Sequence, residues 1–179
     1  MRHVVFVLMS TSGSLPLQPY EFVDAMAQLP AAISLVTLRD ELDDVVTTAS
    51  SLVSVSLQPA LISICTDQAS YFNEALAQSP EWAVTVLSAT QRHLAGRCSA
   101  PGRPSARLLL AEEPHHRGAH SAALIVEQGV VALECRTIQR IQAGDHYVVI
   151  AEVITVDYIN PAQEPLIRLR RTYRGAIKA

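Results

Sequence analysis

Two long runs of β-branched residues in the last third of the chain, 129–142 and 146–159, constrain the fold more than any other feature. Ala143-Gly144-Asp145 separates them, and Gly144 can adopt the positive φ that a tight turn between antiparallel strands requires. The pattern therefore predicts a long β-hairpin at residues 129–159.

The remaining elements are shorter, and none of them alternates as β–α–β. Apolar spacing and breakers predict helices at 18–29, 70–78 and 90–97, with Ser70 and Thr90 as caps. Strands are predicted at 31–38, 45–57, 60–66, 82–87 and 165–173. Residues 98–105 and 112–122 are predicted to be loop and irregular structure. Long antiparallel strands with few helices favour a closed or nearly closed β-barrel over a doubly wound sheet.

Composition limits the classes of partner. The chain has 179 residues, of which 49% are apolar and 17% charged, with a net charge of −3. The length suits one domain, expected at 18–179, and residues 1–17 are expected to be a flexible lead-in. The low charge favours an apolar subunit interface and hence a homodimer. Neither nucleic acid nor a membrane is expected as a partner.

The cysteines and histidines do not form a recognisable metal or disulfide framework. Cys65, Cys98 and Cys135 are widely spaced without a C-x-x-C pair, and we expect Cys65 and Cys135 to be buried. A reducing cytoplasm fits this usage. His115, His116 and His120 match no ligand spacing, so they are expected to be solvated loop residues, with no metal.

The stretch 47–57 alternates apolar and hydroxyl side chains. A barrel strand with one solvated face has this pattern. A strand lined with small hydroxyls also lets a flat ligand approach its backbone donors. The residues alone leave both interpretations open.

The order of several motifs narrows the choice. These are F-x-x-A-M-x-x-L-P at 22–30, T-A-S-S-L-x-S-V-S-L-x-P at 48–59, W-A-V-T-V-L at 82–87, Q-R-H-L-A-G-R at 91–97, L-E-C-R at 133–136, A-G-D-H-Y at 143–147, and Tyr173. This order resembles the short-chain flavin reductases, which supply reduced flavin to two-component monooxygenases. The resemblance covers residues 22–173 and implies an FMN-binding split β-barrel of antiparallel, Greek-key strands with short helices.

The resemblance also implies a site. Ser50 and Ser51, with the backbone of Thr48 and Ala49, would contact the flavin ring and ribityl chain. The family often has a basic residue and paired serines where this chain has only Ser70, so arginines at 92 and 97 are candidates to compensate. The implied cofactor-binding residues are Thr48, Ala49, Ser50, Ser51, Ser54, Ser56, Asp67, Ser70, Arg97 and Tyr173.

His146 is the candidate catalytic residue. The resemblance implies that it lies near the nicotinamide, where an imidazole can donate a hydrogen bond and titrate near neutral pH. Asp145 would orient it or cap the turn. Arg168, Arg170, Arg171 and Arg174 form a basic cluster that is either a solvated strand face or a landing site for dinucleotide phosphates.

The implied activity is NAD(P)H:flavin oxidoreductase, with hydride passing from nicotinamide to flavin and reduced flavin diffusing to a monooxygenase. The sequence leaves FMN or FAD open, and likewise NADH or NADPH. A flavin- or ligand-binding barrel without reductase activity is the alternative, and a purely structural barrel module is a third hypothesis.

Overall fold

The computed structural model describes residues 17–41 and 43–175. The expected lead-in therefore lies outside the described residues, except for Leu17. The helices are α1 (Pro19–Met26), α2 (Tyr71–Gln78), α3 (Arg92–Ser99) and α4 (Ala106–Leu109), and a 3-10 turn at Ala89–Gln91 precedes α3. The strands are β1 (Ala31–Ala32), β2 (Ser34–Arg39), β3 (Asp44–Ala49), β4 (Val53–Leu57), β5 (Ala60–Asp67), β6 (Glu81–Val86), β7 (His115–Arg117), β8 (Leu124–Val126), β9 (Val131–Ala143), β10 (His146–Asp157), β11 (Leu166–Leu169) and β12 (Thr172–Gly175).

The main sheet has seven strands in the order β3-β2-β6-β9-β10-β5-β4, and every pair in it is antiparallel. The prediction of a mainly β, antiparallel fold with short helices is confirmed. The sheet does not close into a barrel, because β3 and β4, the strands at its two edges, do not pair in the described chain. Residues 50–52 leave the strand conformation, and β4 then pairs with β5 instead of closing against β3.

The predicted hairpin is the longest pairing in the sheet. β9 and β10 pair from His146 opposite Ala143 to Asp157 opposite Ala132. Gly144 takes φ 64°, the left-handed conformation that the turn requires. The hairpin prediction is confirmed, and it places His146 at the first position of β10.

Trp82 belongs to the larger core cluster and is fully buried. Its indole nitrogen donates to the hydroxyl of Thr137 at 3.0 Å, so the buried polar atom is satisfied. A second cluster on the other side of β2 and β3 packs Leu35 and Val46 against α3 and α4.

Several boundaries differ from prediction. The single strand expected at 45–57 is two strands, and the one expected at 165–173 is a β11–β12 hairpin whose turn residues, Arg170 and Arg171, have φ 50° and 63°. Part of the irregular stretch 112–122 pairs as β7, and the loop expected at 98–105 begins only after α3 ends at Ser99 and is followed by α4. Ser88, rather than Thr90, caps the helical segment there.

Cys65 is exposed, which corrects the expectation that it is buried; Cys135 is fully buried, as expected. The reason is the period of β5: Ile62, Ile64 and Thr66 point into the core, so Cys65 faces the other side.

A buried carboxylate organises the loop at 118–122. Glu134, on β9, accepts hydrogen bonds from the backbone N–H groups of Ala119 (3.1 Å), His120 (2.9 Å) and Ser121 (2.7 Å). The hydroxyls of Ser121 (2.8 Å) and Thr155 (3.3 Å) also donate to it. Burial by itself raises the pKa of Glu134, but the donors from Ser121, His120 and Thr155 outweigh it, and the net pKa lies below the usual 4.5.

This lowered pKa makes the stability of the protein acid-sensitive. Because the folded state binds the proton of Glu134 less tightly than the unfolded chain, ionised Glu134 stabilises the fold above about pH 5. That contribution is lost as the pH falls from about 5 through the folded pKa. Urea unfolding at pH 7 and at pH 4 measures this loss, and it should be smaller in Glu134→Gln than in the parent chain. An equal loss in both proteins would contradict the assignment.

Among the helices of the described chain, none is both long and apolar enough to cross a membrane.

Candidate active site

A cavity of about 390 Å³ opens at the place where β3 ends. It brings together seven of the residues that the sequence predicted, from three separate parts of the chain. Its lining residues are Thr47, Thr48, Ala49, Ser50, Ser51, Cys65, Thr66, Asp67, Ser70, Phe72, Arg103 and His146.

The edge of the cavity at 47–51 is made by small side chains. Ala49 is buried, Ser50 is exposed, and Ser51 is half-buried. The hydroxyl of Ser51 accepts a hydrogen bond from the backbone N–H of Cys65 at 2.8 Å. This bond ties the segment between β3 and β4 to β5, and so holds the edge in place although the sheet is open there.

The start of α2 forms the second side. The Asp67 carboxylate accepts from the N–H of Ala69 at 2.8 Å, and the Asp67 carbonyl accepts from the hydroxyl of Ser70 at 2.8 Å. Ser70 is the N-cap, as predicted, and its hydroxyl accepts from the N–H of Asn73 at 3.2 Å. The N-terminus of α2, the positive end of its dipole, therefore lies at the cavity. The neighbouring Asp67 carboxylate accepts a hydrogen bond within the turn that precedes the helix.

Arg103 brings a positive charge to the cavity that Ser70 also lines, although no basic residue is next to Ser70 in the sequence. Its Nε donates to the carbonyl of Val46 at 2.9 Å, and its Nη1 lies 3.5 Å from the carbonyl of Ala100. Within residues 17–41 and 43–175, no carboxylate forms an ion pair with it. An unpaired guanidinium beside a helix N-terminus is suited to an anion such as a phosphate.

Arg103 is not among the residues predicted for the site, because it lies in a Pro- and Gly-containing loop after α3. The one available signal was the absence of a basic residue near Ser70, which required a cation from elsewhere. Only the packing of that loop against β3 shows which arginine provides it.

His146 stands opposite Asp67 in the pairing of β10 with β5. Its Nδ1 is hydrogen-bonded to the Asp145 carboxylate at 2.8 Å, and this bond holds the pKa of Asp145 below its usual value. The imidazole is half-exposed. Nε2 makes no hydrogen bond to any described residue, so it is available to a bound molecule.

The other four predicted cofactor residues do not line this cavity. Ser54 and Ser56 are on β4, and Ser56 accepts from the N–H of Gln58 at 3.3 Å. Arg97 forms an ion pair with Glu113 at 2.8 Å. Tyr173 packs against the second core cluster. Their roles in cofactor binding stay predictions.

The C-terminal arginines contact α1 and the residues just after it. Arg170 donates to the side chain of Gln28 at 3.0 Å, and Arg171 pairs with Asp24 at 2.5 Å. Arg168 and Arg171 line a pocket of about 260 Å³ that also includes Ser50. The cluster is therefore partly engaged with α1 and the residues that follow it, and its pocket shares Ser50 with the cavity described above.

His115 and His116, both on β7, have different neighbours. His116 lies 3.5 Å from a carboxylate oxygen of Glu127 and 3.9 Å from one of Asp157, whereas Nδ1 of His115 contacts the carbonyl of Glu113 at 2.7 Å. No group of three or more ligating side chains arranged for a metal occurs in the described part of the chain.

The sequence and the fold match a known class of redox protein. The model of the flavin reductase like domain matches residues 26–176. The chain therefore belongs to the flavin reductase-like family.

Two curated relatives and two solved structures illustrate the similarity. An NADH:riboflavin 5'-phosphate oxidoreductase from Streptomyces pristinaespiralis is 33% identical over 156 residues, covering 87% of this chain and 86% of the relative. An NADH-dependent FMN reductase from Streptomyces nodosus subsp. asukaensis is 30% identical, covering 86% and 82%.

Among solved structures, the flavin reductase component of a bacterial two-component tryptophan halogenase superposes with a TM-score of 0.84 at 23% identity, covering 90% of this chain and 100% of that one. An NADH:FAD oxidoreductase from Streptomyces globisporus superposes with a TM-score of 0.82 at 26% identity, covering 93% and 100%.

Proposed function

We propose that this protein is an NADH:flavin oxidoreductase that binds flavin in the cavity at the end of β3 and releases it reduced. The observation that carries the proposal is the cavity itself, because one space joins a small-residue edge (47–51), a helix N-terminus beside Arg103, and His146.

The residues present fit a flavin. Small side chains at Ala49, Ser50 and Ser51 leave room for a flat ring to approach backbone and hydroxyl donors, as a ring with carbonyls along one edge requires. Arg103 and Ser70 offer a cation and a helix N-terminus for a phosphate. Phe72, which is almost fully buried, provides an apolar surface between them.

When bound, the flavin supplies the acceptor for a hydride from the nicotinamide. The residues of this chain bind the flavin and the dinucleotide and orient them. Nε2 of His146 can donate to the carboxamide or a phosphate of the dinucleotide, while Asp145 fixes the orientation of the ring through Nδ1.

NADH is the hydride donor we propose, since both curated relatives above are named for NADH. We also propose that a flavin-dependent oxygenase receives the reduced flavin by diffusion. Support comes from a relative in a Rhizobium strain, 26% identical, which is the reductase component of an FADH2-dependent resorcinol hydroxylase.

A homodimer in the cytoplasm remains our proposal for assembly and location. α1 buries none of its residues, and it exposes Phe22 and Met26; Leu57 on β4 is 91% exposed. Apolar surface of this kind is usually covered by another subunit. The three cysteines are free thiols, which suits a reducing compartment. Residues 18–179 as a single domain also stay a proposal.

The activity is tested by mixing purified protein, NADH and either FMN or FAD and following the nicotinamide absorbance. We expect flavin-dependent NADH oxidation. Failure with both flavins and with both NADH and NADPH would refute the proposal. A flavin-binding protein without reductase activity is the second candidate, because the segment 67–71 has only Ser70 where the family often has a basic residue and paired serines; it predicts flavin binding without turnover.

His146→Ala should raise the KM for NADH by about tenfold, because a hydrogen bond to the dinucleotide is lost. The Kd for flavin, measured by quenching of flavin fluorescence, should stay within about twofold of the parent value. His93→Ala, a change at an exposed position on α3, is the matched control. A raised flavin Kd with an unchanged KM for NADH would instead assign His146 to flavin binding.

A further inference from the structure

A second cavity of about 420 Å³ continues from the first one. Both cavities are lined by Ser70, Phe72 and Arg103, so these three residues form the boundary between them. The remaining lining of the second cavity comes from residues 43–46, Tyr71, and residues 102 and 104–106.

The shared residues define where a second ligand group would begin. If the flavin ring lies along 47–51, the phosphate of its ribityl chain lies toward Ser70 and Arg103, the two groups suited to an anion. FMN ends at that phosphate. FAD continues from it through a second phosphate to an adenosine, and the second cavity adjoins the residues that would hold the first phosphate.

We propose that FAD is the flavin this protein binds preferentially, with its adenosine in the second cavity and its pyrophosphate beside Arg103. The proposal rests on the proposed function, and it adds the choice between FMN and FAD that the sequence leaves open.

The aromatic surface for the adenine is Tyr71, which lines only the second cavity. Its side chain is 57% exposed, although it is a large ring on the first turn of a helix. Its hydroxyl donates to the Asp40 carboxylate at 2.6 Å, which fixes the ring relative to the β2–β3 connection. A held, exposed aromatic ring is a suitable stacking surface for a purine.

The side of the second cavity that carries Asp43 and Asp44 is suited to a ribose. Asp44 is fully buried and has both oxygens occupied by Arg117 at 2.8 Å, so it is neutralised. Asp43 accepts from the N–H of Asp44 through Oδ1 at 2.8 Å, and its Oδ2 makes no hydrogen bond within the described residues. A carboxylate oxygen of this kind accepts from ribose hydroxyls, as acidic residues do in dinucleotide sites.

The test compares equilibrium binding of FMN and FAD to the purified chain by fluorescence quenching, without NADH. The parent protein should bind FAD more tightly than FMN. Tyr71→Ala should weaken FAD binding by about tenfold, and the ratio of the two Kd values should shift by the same factor, because only FAD has a base to stack. Tyr158→Ala, a change at another exposed tyrosine, is the matched control and should not shift the ratio.

Equal Kd values for FMN and FAD, or tighter FMN binding, would overturn the proposal. So would an equal effect of Tyr71→Ala on both flavins, or an effect on the KM for NADH alone. Selective FAD binding without NADH oxidation would instead uphold this inference and refute the reductase activity, so the two failures are distinguishable.

Discussion

Glu134→Gln should destabilise the protein by about 2–4 kcal/mol, the expected cost of giving a set of buried donors a partner that cannot accept from all of them. Glu134 is 5% exposed and accepts from three backbone N–H groups and two hydroxyls. The amide of glutamine keeps the shape, but it presents an NH2 group to N–H donors. At about 2–4 °C per kcal/mol for a chain of this size, the melting temperature should fall by about 10 °C.

The matched control is Glu152→Gln, at an exposed position on β10, which should change stability by less than about 0.5 kcal/mol. Gly118→Ala tests the Glu134 site from the loop at 118–122. A methyl group there would lie 2.3 Å from Oε2 of Glu134 and 2.7 Å from Oγ of Ser121, so the loop must move. A melting temperature for Glu134→Gln equal to that of the parent would show that the loop satisfies its donors in another way.

Arg103→Met should weaken the binding of both FMN and FAD by about 30-fold, because a charge-assisted contact with the phosphate is lost. Riboflavin has no phosphate, so its Kd should stay within about twofold of the parent value. Titration of each flavin by fluorescence quenching gives the three constants. Arg103 also donates to the carbonyl of Val46, so thermal melting of the variant must accompany the titration.

Two further variants keep this test decisive. Arg107→Met removes an exposed arginine from α4 nearby and should leave all three constants unchanged. Arg103→Lys keeps the charge but not the planar fork, and it should recover part of the affinity. If Arg103→Met weakens riboflavin as much as FMN, the arginine shapes the cavity and does not bind the phosphate.

Arg103 and Tyr71 together separate the parts of the flavin. Loss of Arg103 should affect every phosphorylated flavin, whereas loss of Tyr71 should affect FAD alone. The boundary between the two cavities at Ser70, Phe72 and Arg103 is the structural reason for this division.

The sequence determined the elements whose signals are local. The β9–β10 hairpin followed from two long β-branched runs and Gly144, whose φ of 64° needs no distant contact. The Ser70 cap followed from its own turn. The order of motifs also indicated the family and the edge at 48–51, because those residues are contiguous.

The tertiary structure decided the features that depend on where separate segments meet. The chain leaves the strand conformation at 50–52, and the sheet stays open because β4 then pairs with β5. The alternating serine pattern continues through residues 50–52, so it does not indicate this break. Cys65 faces the cavity because the register of β5 assigns Ile64 and Thr66 to the core. An alternating strand can take either register, and only the packed sheet selects one.

The position of Arg103 likewise could not be predicted from the sequence. A phosphate contact needs a cation within hydrogen-bond reach, and arginines 92, 97 and 103 are all near one another in the sequence. Arg97 is paired with Glu113, whereas Arg103 is held by Val46 of β3 at the mouth of the cavity. The sequence indicated that a phosphate site would need a cation; the packing of the loop after α3 on β3 decided which arginine lies in the cavity, because the distance between side chains is a property of the folded chain alone.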